Sequence, residues 1–169
     1  MLYGKECGGA TNYWETKPGQ EPYATGSFRL LPIDQIYGDW QGVVYFPDLM
    51  PEAQVQQLRA FKIVDFFADE ACVGLYHTEA KDPQLYYYSF EDMPEPLGLD
   101  LLGYIQLLPL TLGLRYWQVL LAELARDPAR PYQPQTVNSQ EIAAQLEAVV
   151  PGFSLPAFVQ RYDELRLPR

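Results

Sequence analysis

Histidine and cysteine are nearly absent from this chain, and the scarcity removes several chemistries at once. His77 is the only imidazole among 169 residues, so any Ser–His or Cys–His pair must use it. No Gly-x-Ser-x-Gly elbow is present. Alternation along a strand would set Cys72 on the face opposite His77, which is poor geometry for a dyad. Cys7 and Cys72 are too few and too far apart for a disulfide framework or a zinc site. They read as free thiols in a reducing cytoplasm. No charged-then-apolar leader opens the chain. The longest leucine-rich run, 97–124, is broken by Gly103, Pro109, Gly113 and Arg115, so it does not read as a membrane span.

Basic residues are also few. Twelve Lys and Arg stand against 22 Asp and Glu, a formal net charge of −10. This balance disfavours nucleic acid and anionic membrane surfaces, where like charges would oppose encounter. It favours solubility and, more weakly, a basic protein partner. Hydrophobic residues at 48% with 14% aromatics argue against disorder, and the length fits one self-sufficient core. The thirteen tyrosines can pack a ring while leaving a polar tip for water or a partner.

Along the chain, residues 1–27 read as Gly, Thr and Tyr-rich, with a turn-rich loop at KPGQEP. SFRLLPI (27–33) reads as a strand, DQIYGDWQG as a turn or one helical turn, and VVYF (43–46) as a strand stopped by Pro47. PEAQVQQLRAF (51–61) reads as a helix, with Pro51 suited to its first position and Val55, Leu58 and Phe61 as a weak apolar stripe. FKIVDFF, ACVGLYH and QLYYYSF then read as an antiparallel meander, with Asp69 and Glu70 in the first hairpin turn. Apolar residues on both faces of the first two runs place them centrally, packed on each side.

After EDMPEPLG the period changes to 3.6. Leu101, Leu102, Ile105 and Leu108 form one stripe, ended by Pro109, and Trp117, Leu120, Leu121 and Leu124 a second. A Pro-rich connector follows at 127–137. Asn138 can cap a helix, with Glu141 reciprocating, ahead of Ile142, Ala143, Leu146 and Val149. Ser154 starts a last helix with Phe158, Tyr162 and Leu165 on one side. The two terminal helices, within 138–169, need a surface, either their own domain or another chain. The fold class is α+β, a mostly antiparallel sheet packed with helices plus this C-terminal helical extension.

No spacing points to a metal or a cofactor. Asp65, Asp69 and Glu70 are the best local acid cluster, yet they match no EF-hand, His-Glu-x-x-His or Cys/His pattern. Asp65, inside a strand, reads as a residue bonded to a backbone or arginine donor, because burying it unpaired would cost several kcal/mol. Glu91, Asp92 and Glu95 read as surface loop acids. In LYYYSF, Tyr86 and Tyr88 fall on one face, and Leu85 and Tyr87 on the other. One face must pack on the core; the other is either covered by helices or shows tyrosines beside acids, as a protein-binding surface does.

In order, GGATNYWE, GSFRLLPIDQIYGDW, FKIVDFFADEACVGLYH and YYYSFEDMPEPLGLDLLGYIQLL resemble a bacterial branch of the SUKH superfamily. That group holds the yeast Smi/Knr cell-wall synthesis regulators and many bacterial immunity proteins. The resemblance covers 1–126, with Gly8-Gly9, Leu31-Pro32, the strand around Phe66-Phe67 and the helix around 99–108 matching. It departs at the start, where Gly8 leaves no room for the usual first helix: either the start is misassigned or the fold here lacks that helix. The resemblance implies an α+β domain without catalysis that binds another protein; the acidic charge fits a basic toxin among the candidates, and no cofactor is expected. It carries no universal functional residue. The contact candidates are Asp69, Glu70, Tyr86 and Tyr88, read from the chain itself. A carboxylate- or metal-dependent enzyme and an oligomeric scaffold stand as alternatives.

Overall fold

The computed structural model describes residues 9–19, 21–80, 82–90, 93–127 and 137–168. Its frame is a six-stranded sheet in sequence order, every neighbour antiparallel: β1 (Ala10–Glu15), β2 (Thr25–Leu30), β3 (Phe61–Ala68), β4 (Ala71–Tyr76), β5 (Leu85–Tyr88) and β6 (Glu95–Pro96). The expected meander of three runs is its centre, with Asp69 and Glu70 in the β3–β4 turn. β1 lies in the Gly, Thr and Tyr-rich stretch in which no strand was expected, and the short β6 takes in Glu95, expected as a loop acid.

Both faces of β3 and β4 are covered, as their two-sided apolar pattern requires. On one side Val64, Phe67 and Val73 join a large core with Tyr104, Leu107, Trp117 and Leu121. These come from α3 (Leu101–Thr111) and from the start of α4 (Gln118–Ala125), Trp117 being the residue that opens it. On the other side Phe61, Ile63 and Cys72 meet Ile36 of α1 (Ile33–Ile36), and Val55 and Leu58 of α2 (Glu52–Arg59). Pro51 sits just ahead of α2 as its N-cap residue.

VVYF is not a strand. The N–H groups of Val43 and Val44 both donate to the Trp40 carbonyl, and Leu49 and Met50 to that of Phe46, as in helical turns. Asp39 fixes the start by accepting from Gln41 N–H at 3.1 Å and Tyr45 O–H at 2.5 Å. Local side-chain bonds of this kind compete with a sheet ladder. Val44 and Tyr45 are apolar because they fill the second core, not because they pair.

Pro109 does not end α3, which runs on to Thr111. Proline lies on the exposed side of the last turn, so the hydrogen bond it removes is confined to the helix end. The buried stripe is also rotated from the expected one: Gly103, Tyr104, Leu107, Leu108 and Thr111 face inward, while Leu102 is 64% exposed. Asp100 caps the helix by accepting from Gly103 N–H at 2.8 Å.

The terminal helices dock on their own chain. α5 (Ser139–Val149) packs on α4, and α6 (Leu155–Leu165) on α3, bringing Ile142, Leu146, Phe158 and Tyr162 into the large core. Asn138 caps α5 through Gln140 N–H at 2.8 Å. Tyr162 O–H donates to the Leu97 carbonyl at 3.1 Å, and Leu167 N–H to that of Gly98 at 2.8 Å. Gly98 is held at φ +67°, and a Cβ there would stand 2.5 Å from the Tyr162 hydroxyl. Glycine is therefore required both by the backbone and by the approach of α6. Among the described residues no helix is long and apolar enough to cross a membrane. Cys7, Glu91, Asp92 and most of the connector lie outside the described residues.

Candidate functional site

The acid cluster expected from DFFADE is divided by the fold. Asp65 is fully buried beneath α3, whereas Asp69 and Glu70 are exposed at the hairpin tip. β3 and β4 shift register on either side of Asp65. Its carboxylate accepts from Arg29 N–H at 2.7 Å and from Tyr104 O–H at 2.6 Å. Gln118 Nε2 in turn donates to the Tyr104 oxygen at 2.9 Å. Burial raises Asp65 to about 6, against the lowering effect of the Tyr104 and Arg29 bonds. The same burial raises Tyr104 and Cys72, so both are neutral partners at physiological pH. A chain of side chains from β3, α3 and α4 thus surrounds a carboxylate that no substrate could reach without unfolding the layer above it.

Glu70 sits in a different setting. β2 meets β3 only around the Leu30–Asp65 pair. Farther back along β2, Ser27 N–H donates to the Gly113 carbonyl at 2.7 Å and Arg115 N–H to that of Thr25 at 2.9 Å. Residues 113–115 therefore take the place of β3 beside the first half of β2. This insertion carries Arg115 and Tyr116 to the hairpin tip, where both donate to Glu70 Oε1, the guanidinium at 2.6 Å. The Tyr116 bond is the main influence holding the Glu70 carboxyl below its ordinary range. Tyr116 has φ +66°, a backbone state costing about 1–3 kcal/mol for a bulky residue. With both side chains of the Arg115–Glu70 pair about half exposed, that pair adds roughly 0–1 kcal/mol, so fold packing holds the loop. Among the described residues nothing engages the Asp69 carboxylate, leaving it open at the tip.

The two tyrosine candidates separate. Tyr86 is half-buried, edge-on to Tyr76 at 5.0 Å, with its hydroxyl donating to Asp82 at 3.1 Å. Tyr88 is 1% exposed, its hydroxyl donating to the Val44 carbonyl at 3.3 Å, and burial raises it to about 12. It is a core residue and cannot be a partner contact, because the turns around Val44 cover it. Tyr88→Ala is accordingly expected to cost about 3–5 kcal/mol of stability, as large-to-small core changes do. Tyr86→Ala should cost distinctly less. Urea unfolding of the two variants separates the roles, and equal losses would contradict the placement.

His77 directly follows β4 at the surface, 5.1 Å edge-on from the Tyr37 ring. Among the described residues no three His, Cys, Asp or Glu side chains converge as a metal site requires. Compared with known proteins, the chain matches no family model, no curated protein and no solved structure.

Sequence reasoning passed over three accessible residues that the fold assembles at the outermost strand, two on β1 and Tyr23 in the connection to β2. Glu15 Oε2 accepts from the hydroxyls of Tyr13 at 3.1 Å and Tyr23 at 3.3 Å. The bond to Glu15 is the first cause of the raised Tyr13 hydroxyl. Thr11, Tyr13 and Trp14 are strand-favouring residues, but the glycines and turn residues around them concealed the signal.

Proposed function

We propose that this protein is a non-catalytic module that binds another protein, of the Smi/Knr regulatory or toxin-immunity type, and that its partner is basic. The observation that carries this reading is the separation of reactive from accessible groups. Asp65, whose proton affinity is strongly raised, is sealed inside the fold. The accessible acids and phenols, at Asp69, Glu70 and around Glu15, lie on open surface, with Tyr86 half-buried beside Asp82. Tyrosine and arginine beside acids suit partner recognition, and a net charge of −10 steers a basic protein toward them. A reducing cytoplasm, where Cys72 stays a thiol, is the compartment this reading assigns.

Capture from source-cell lysate on the immobilised chain, at low and at raised salt, tests the reading. A stoichiometric basic protein retained at low salt and released by salt is expected. Asp69→Lys should weaken that capture about tenfold without shifting the melting temperature. Recovery of a metal or small molecule with no protein partner would overturn it.

A further inference from the structure

Among the described residues β1 is an open edge, blunted by neither a bulge nor a proline nor a lysine. Its register with β2 is unbroken from Ala10–Leu30 to Glu15–Thr25, so no bulge turns it away. Neither lysine nor proline interrupts it, and Thr11, Asn12, Tyr13 and Glu15 are exposed. The opposite edge is managed differently: β6 has two residues, and the second is Pro96. Proteins usually protect open edges with such short strands, prolines, charges or bulges. Among the described residues no strand lies on the far side of β1.

The same strand carries a site suited to a cation. Alternation sets Thr11, Tyr13 and Glu15 on one face. Among the described residues the core under α1 and α2 takes in no residue of β1 or β2, so that core does not cover this face. Tyr13 and Tyr23, 62% and 58% exposed, both bring their hydroxyls to the Glu15 carboxylate. Among the described residues no Lys, Arg or His pairs with Glu15. A lysine or arginine arriving here would meet a carboxylate beside two exposed phenol side chains.

We propose that this edge receives an extended basic segment of the partner protein, adding a strand beside β1 and seating one lysine or arginine on Glu15 between Tyr13 and Tyr23. The main-chain ladder supplies affinity and the cation site selects the register. A second copy is the poorer occupant. Each copy carries a net charge of −10, and β1 holds no cation to offer a neighbour's Glu15. The inference rests on the binding reading above and names the place and chemistry of contact.

The test is titration of the isotopically labelled full chain with an acetylated peptide of alternating threonine and lysine, about eight residues long to match a strand. Saturable, salt-sensitive amide shifts are expected over Ala10–Glu15 and Tyr23. Glu15→Gln should weaken binding about tenfold, and a peptide with glutamate for lysine should leave the spectrum unchanged. Shifts centred elsewhere, or affinity indifferent to Glu15→Gln, would overturn the site. A lysate-captured basic partner that ignores Glu15→Gln would leave the binding reading standing without it. No saturable peptide binding, or a doubled mass by light scattering that buries β1 without peptide, would also overturn the proposal.

Discussion

Asp65→Asn is expected to abolish a stability change of about 3 kcal/mol that the native chain undergoes between roughly pH 4 and pH 7. The sign follows from burial. An unfolded aspartate titrates near 3.8, and the folded one is raised to about 6. Its contribution is therefore fully present below the unfolded value and is lost as pH rises through 6. The facing groups, Tyr104, Cys72 and Gln118, stay neutral throughout that range, so they do not reverse it. Asp39 and Glu70 act in the opposite sense, because their carboxyls are lowered by tyrosine hydrogen bonds. Both are solvent-accessible and screened, so Asp65 dominates the window.

The surrounding hydrogen bonds show how asparagine can be accommodated. The side-chain carbonyl of the substituted residue would still accept from Arg29 N–H, while its amide donates to the Tyr104 oxygen. The Tyr104 proton must then turn to Gln118, whose Oε1 is buried without a partner in the ionised arrangement. Rotating the Gln118 amide presents that oxygen, and protonation of Asp65 itself calls for the same reversal. Urea midpoints at about pH 4.5 and pH 7.5 should differ for the native chain and agree for Asp65→Asn. Retention of the native slope by the variant would place the titration elsewhere.

This network also marks how far the sequence could be read. That Asp65 needed a hydrogen-bond donor was legible, because an unpaired buried carboxylate is too costly. That the donors are Tyr104 and a backbone N–H required knowing which side of α3 faces the sheet. Apolar residues surround that helix almost completely, so spacing alone could not choose between the stripe through Leu102 and the one through Tyr104. The strands β3, β4 and β5 were legible because turn residues bound each run and their β-branched and aromatic content is high. VVYF has the same composition, yet Asp39 and Gly42 turn it, a local outcome that apolar pattern does not register. The exposed site was less legible still. Arg115 and Tyr116 reach Glu70, and Tyr23 reaches Glu15, only through the loop insertion beside β2 and the β1–β2 pairing.

Truncation after Asp127 is expected to leave a chain that cannot hold its tertiary structure, not a domain with an altered oligomeric mass. α5 and α6 meet α4 and α3 with their apolar faces, and Leu146, Phe158 and Tyr162 are almost wholly buried there. Burying each such side chain contributes about 1.5–3 kcal/mol, so removing several is comparable with the whole of the roughly 5–15 kcal/mol by which a domain is stable. The loss is compounded on the surface left behind. Trp117, edge-on to Phe158 at 6.3 Å, would face water, and the Leu97 and Gly98 carbonyls would lose the bonds from Tyr162 and Leu167. Near-ultraviolet circular dichroism of the truncated chain should collapse while part of the far-ultraviolet signal persists, as in a loosely packed state. A truncated chain that keeps its tertiary signal and changes only its mass by light scattering would instead mean that these helices serve assembly, and that their docking within one chain is dispensable to the fold.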